Sequence, residues 1–153
     1  MNISARSLPF LLLLGVAAQA QAQDPNACPQ LPVDSGLAWQ HQNAGDSEFC
    51  RALRADGSEA FGMVIGRDSP FDPDRSNREE TGRIDGREVQ WYRAEIALKP
   101  GVQARETLVR LADGRVAHIW LQARSDDALV EAFGQAEALR FGARRDTQVV
   151  AGQ

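Results

Sequence analysis

Three Asp-Gly pairs punctuate the chain: Asp56-Gly57, Asp85-Gly86 and Asp113-Gly114 each lie between or beside apolar segments. Aspartate and glycine tolerate the positive φ that tight turns require, so a chain divided in this way favours antiparallel hairpins. Two of the pairs read as hairpin tips. Phe49 to Ala55 would pair with Ser58 to Ile65, and Arg105 to Leu111 with Arg115 to Ala123. The pair at 85 and 86 reads instead as the opening of a strand from Glu88 to Leu98. The turns stand 29 and 28 residues apart, but the residues around them share little beyond the turn, so one hairpin chemistry used repeatedly explains them better than a repeat. Asp46 to Gly57 also fits a short helix capped by Asp46, and the strand is the favoured reading.

The helical signal lies at the C-terminal end. Ser125 is a good N-cap, and Asp126 and Asp127 put negative charge in the first turn, where it complements the helix dipole. Leu129, Ala132, Phe133 and Ala136 share one face, and Gly142 offers a stop. Gly134 in the middle costs about 1 kcal/mol relative to alanine. The expected fold is α+β: an antiparallel sheet of five or six strands with this helix packed on one face. In the last hairpin Ala117, Ile119, Leu121 and Ala123 alternate with Val116, His118, Trp120 and Gln122, and the first set suits the helix.

The N-terminal segment reads as an export signal. Arg6 precedes an apolar run of 11 residues, Leu8 to Ala18, and Ala18-Gln19-Ala20 or Ala20-Gln21-Ala22 offers an A-x-A cleavage site. The run is about half the length of a membrane-spanning helix, so no anchor is expected after cleavage. The expected organisation is a signal peptide at 1–22, a proline-containing extended arm at 23–36, one domain at 37–142 and a flexible tail at 143–153. The expected location is the periplasm or the extracellular medium. In an oxidising compartment the two cysteines, Cys28 and Cys50, are most simply one disulfide, stabilising by roughly 3 kcal/mol in the chain-entropy model. The chain carries 21 acidic against 17 basic residues, and loss of Arg6 makes the remainder more acidic, which disfavours nucleic acid as a partner.

Two surfaces are candidates for binding. On the polar side of the last strand, His118 and Trp120 would be joined by Trp91, Arg93 and Glu95 from the strand at 88–98, and by Trp39 and His41 from the first strand. Such a face could hold a ligand by stacking and hydrogen bonding. Whether these tryptophans are binding surface or ordinary core depends on register. The second candidate is the long connection Arg67 to Arg83, in which Phe71, Asp72 and Asp74 could anchor a partner. Asp72, Asp74 and Ser76 resemble the start of a calcium loop, but Asn77 and Arg83 stand where Gly and Glu are needed, so no metal or other cofactor is expected. Gly45-Asp46-Ser47 resembles a hydrolase serine block without its strand-turn-helix context.

Hairpins first, a later strand pair around Ala112-Asp113-Gly114, then a helix ending in Ala138-Leu139-Arg140-Phe141 resembles the PsbP-like and DcrB-like group of small exported α/β/α sandwiches. The resemblance is architectural and covers Leu37 to Phe141 in outline. It implies an accessory or binding domain without catalysis, and it transfers no functional residue. The expectation is therefore an exported, non-enzymatic binding or accessory protein with an envelope protein as favoured partner and a small molecule as the lesser one. The alternatives are an inhibitor or immunity protein that blocks an enzyme through the Phe71 loop, and a small hydrolase.

Overall fold

A computed structural model describes residues 27–94 and 100–142. The export signal expected at 1–22, the start of the expected arm, the tail expected from 143, and the end of the strand expected at 88–98 lie outside the described residues. Seven strands, β1 (Ala38–Ala44), β2 (Ser47–Leu53), β3 (Glu59–Gly66), β4 (Arg78–Ile84), β5 (Arg87–Arg93), β6 (Gln103–Arg110) and β7 (Val116–Ala123), precede one helix, α1 (Asp126–Glu137). The strands form one antiparallel sheet in the order β1-β2-β3-β7-β6-β5-β4. The class is α+β, with seven strands where five or six were expected.

Turn chemistry accounts for the hairpins. The β2–β3 and β6–β7 tips fall at Gly57 and Gly114, both at positive φ (81° and 87°). The Asp85-Gly86 pair is also a tip, with φ of 50° and 75° at its two residues, the left-handed pair that a two-residue turn needs. It joins β5 to β4, the strand missing from the sequence reading. Arg78-Glu79-Glu80-Thr81-Gly82-Arg83 is so polar that it reads as loop, and a charged edge strand looks the same. Gly45-Asp46-Ser47 is not a nucleophile turn but the tip of the β1–β2 hairpin, with Gly45 at φ 69°. The residues from Ser47 to Leu53 are strand, not helix.

α1 begins as expected, with Ser125 accepting a hydrogen bond from Ala128 N. It stops at Glu137, well before Gly142, because Leu139 turns fully into the core and Arg140 pairs its backbone with Gln30. The buried side of the helix, Leu129, Ala132 and Ala136, packs on the Ala117, Ile119, Leu121, Ala123 side of β7. Cross-strand register extends that covered face through Met63 and Cys50 beside Ile119, and through Phe61 and Ala52 beside Leu121.

The segment from Ala27 closes the part of the core that α1 does not reach. Cys28 and Cys50 form a disulfide, Trp39 Nε1 donates to Pro29 O at 2.7 Å, and the Trp39 ring meets Phe61 edge-on at 5.7 Å. The disulfide is consistent with an oxidising compartment. On the opposite face the long connection from β3 in the middle of the sheet to β4 at its edge crosses over the strands between. Among the described residues one helical layer covers one face, so the second helical layer of an α/β/α sandwich is not seen. No helix of the described residues is long and apolar enough to cross a membrane.

Candidate functional site

Register decides which aromatic residues share a face. Trp120 stands opposite Gly62 on one side and Glu106 on the other, and Glu106 stands opposite Tyr92. His118 stands between Val64 and Leu108. The strand β5 is therefore offset by one residue from the grouping expected: Tyr92, not Trp91, joins His118 and Trp120. Trp91 lies on the helix-covered face, 1% exposed, with its ring 5.1 Å from Phe133 of α1. Its indole N–H is buried without a partner beside Gly82, where a Cβ would sit 2.4 Å from Glu137 Oε1 and 3.0 Å from Trp91 Nε1. Arg93 aligns with Arg105 and hence with Leu121, also on the covered face. Trp39 and His41 align with Ala52 and Cys50 and belong there too. A one-residue offset reverses every side chain of a strand, and four of the five expected contributors, Trp39, His41, Trp91 and Arg93, stand on the covered face. Glu95 lies outside the described residues.

What remains on the open face is a smaller and different group. Rings run in a chain across it: Phe49 to Trp120 at 5.6 Å, Trp120 to His118 at 5.7 Å, His118 to Phe71 at 4.9 Å and Phe71 to Tyr92 at 5.8 Å. Phe71, expected as an exposed anchor, is half-buried and lies nearly parallel to the imidazole, 11° between planes. The loop turns its aromatic inward because Ser69 and the prolines on either side hold the backbone across the face, with Ser69 Oγ accepting from Phe71 N at 3.1 Å. Asp72 and Asp74 stay exposed. The Asp74 carboxylate accepts from Ser76 N and Oγ, at 2.8 and 2.9 Å, and caps a short 3-10 turn at Arg75–Asn77, which lowers its pKa. Its oxygens are used locally.

Polar groups on this face are ordered by one another. His118 Nε2 lies 2.9 Å from Glu106 Oε2, both side chains mostly buried beneath Phe71. Trp120 Nε1 donates to Glu59 Oε1 at 3.0 Å, Arg51 Nε donates to Glu59 Oε2 at 2.7 Å, and the same arginine reaches Gln40 Oε1 at 3.0 Å. Gly62 makes this arrangement possible, because a Cβ there would lie 2.5 Å from the indole of Trp120. The indole thus lies flat over bare backbone, held at its N–H end and at its Phe49 side. Sequence reading missed Phe49, Arg51, Glu59, Gly62, Tyr92 and Glu106. One signal was present: a glycine inside the apolar run Phe61 to Ile65 marks a close approach.

The other histidine, His41, is 2.5 Å from Glu48 Oε2 at the edge of the covered face. Among the described residues no three His, Cys, Asp or Glu side chains are grouped as a metal site. A shallow, open cleft lined by Asp46, Arg67, Asp113, Gly114 and Arg115 lies at the hairpin tips, and neither histidine lines it. No family model, no curated protein and no solved structure matches this chain.

Proposed function

We propose that the protein is an exported, non-catalytic binding or accessory domain, and that its working surface is the open face of the sheet around Trp120, Phe49, Arg51 and Glu59. The observation that carries this reading is the pre-ordered pair of hot-spot residue types: a half-exposed tryptophan laid over Gly62 and an arginine, both held by the one Glu59 carboxylate. Tryptophan and arginine are the side chains that most often dominate protein interfaces, and fixing them in advance lowers the entropy lost on binding. An envelope protein is therefore the favoured partner. The inward stacking of Phe71 on His118, with the imidazole tied to Glu106, supports a packing role for that histidine over one as a free general base.

An enzyme-blocking role remains the second reading, and its contact surface would be this same face together with the exposed Asp72 and Asp74. The test is site-specific photo-crosslinking in cells. A cross-linking side chain at Val64, half-exposed between Phe49 and His118, should give an adduct with an envelope protein, and Trp120→Ala should reduce it at least about tenfold. The same side chain at Val130, exposed on α1, should give none. Equal adducts from the two positions, or an adduct unaffected by Trp120→Ala, would sink the proposal.

A further inference from the structure

The two edges of the sheet differ in composition. β4 carries four charged residues, Arg78, Glu79, Glu80 and Arg83, and its register with β5 shifts between Arg78 and Thr81. Charges and bulges are the devices that keep an exposed strand from pairing with a neighbour. β1, the opposite edge, reads Ala38-Trp39-Gln40-His41-Gln42-Asn43-Ala44, with no Asp, Glu, Lys, Arg or Pro. Its register with β2 runs unbroken from Ala38 to Ala44. It is an unguarded edge.

The hydrogen-bonding pattern of β1 limits what can pair with it. β1 joins β2 through the two-residue turn Gly45-Asp46. In such a hairpin the flanking pair, here Ala44 and Ser47, exchanges backbone bonds. The alternation of an antiparallel ladder then turns the N–H and C=O groups of Trp39, His41 and Asn43 outward. Outward groups on three residues centred on His41 match their own image about a two-fold axis at His41. In that register Trp39 faces Asn43, Gln40 faces Gln42 and Ala38 faces Ala44 of the second copy. No pair sets two carboxylates or two guanidinium groups against each other, and each His41 keeps its own Glu48 at 2.5 Å.

We infer that β1 is a homodimer edge, at which two copies join antiparallel about a two-fold axis at His41 into one continuous sheet. Charge favours a second copy here, because an acidic chain of net charge −4 meets itself with least repulsion along a stretch without carboxylates. Closure sets the number at two. Once both β1 edges are paired, the joined sheet ends on β4 at each side, and those edges are charged and irregular. The segment from Ala27 is tied over the covered face, Cys28 to Cys50 and Gln30 to Arg140, and among the described residues no backbone hydrogen bond reaches Trp39, His41 or Asn43 from outside the β1–β2 hairpin.

Sedimentation velocity on the purified, exported and oxidised protein tests this without any partner for the open face, so its outcome is separate from the function proposed above. A monomer–dimer equilibrium should be visible by about 200 μM. Gln40→Glu with Gln42→Glu opposes like charges twice across the axis and should weaken dimerisation roughly tenfold or more. Gln40→Glu with Gln42→Lys differs only at position 42, opposes unlike charges twice, and should restore the dimer to at least the original strength. A protein that stays monomeric at that concentration, or two double variants that dimerise equally, would overturn the inference.

Discussion

The two faces of the sheet use the same kinds of residue for opposite ends. Each carries a tryptophan, yet Trp91 is closed off beneath Phe133 and α1, while Trp120 lies half-exposed over Gly62 with its N–H on Glu59. The covered face obtains its order from apolar burial, and tolerates an indole N–H with no partner. The open face obtains its order from hydrogen bonds between side chains that remain in reach of water. The difference teaches that a tryptophan's chemistry does not assign its role: the number of layers above it does.

The sharpest test of that difference compares Trp91→Ala with Trp120→Ala. Loss of the buried ring should cost about 3–5 kcal/mol in denaturant unfolding, whereas loss of the open-face ring should cost about half that or less, with its main effect on partner capture. Equal destabilisation would collapse the distinction between core and surface. Next in size is the staple on the covered side. Replacing Cys28 and Cys50 with alanine should destabilise by about 3 kcal/mol, read as a lower unfolding midpoint. It should also free Trp39, which the same segment holds through Pro29 O, so its fluorescence should shift to the red.

A smaller change probes the open face from beneath. Gly62→Ala forces the indole of Trp120 off the backbone and should cost about 1–3 kcal/mol, with a red-shifted emission absent from the Gly134→Ala control, where a Cβ meets nothing within 4 Å. The smallest expected effect lies at the polar rim of the covered face. Arg105 donates to both Glu80 oxygens, at 2.8 and 2.9 Å, and this pairing holds the Glu80 carboxyl below its ordinary pKa. A depressed folded pKa contributes stability at pH values above the ordinary carboxylate range and loses it as the pH falls through the depressed value. Glu80→Gln should therefore cost less than about 1 kcal/mol near neutrality, given the exposure of the pair, and nothing once the pH has fallen below the depressed value. A difference that grows toward acid pH would contradict the sign.

Legibility followed the range of the interaction that decides each feature. Ser125 as cap, the apolar side of α1, the tips at Gly57 and Gly114 and the Cys28–Cys50 pair were all readable, because each rests on a few neighbouring residues or on there being two cysteines to pair. β4 was hidden because an edge strand needs no apolar alternation to be held in place. The face of Trp91 was hidden because nothing local states whether Trp91 or Tyr92 stands in the row of Glu106.

Local chemistry in the sequence alone thus determined an antiparallel α+β protein with defined hairpins, one capped helix and one staple. Tertiary structure decided the rest: which tryptophan is core, that Phe71 folds inward onto His118, and that Arg51, Glu59 and Trp120 meet over a glycine. The physical reason is the period of two along a strand. A shift of one residue between partners costs no local propensity, yet it exchanges everything buried for everything exposed, and only packing across the whole sheet makes the choice.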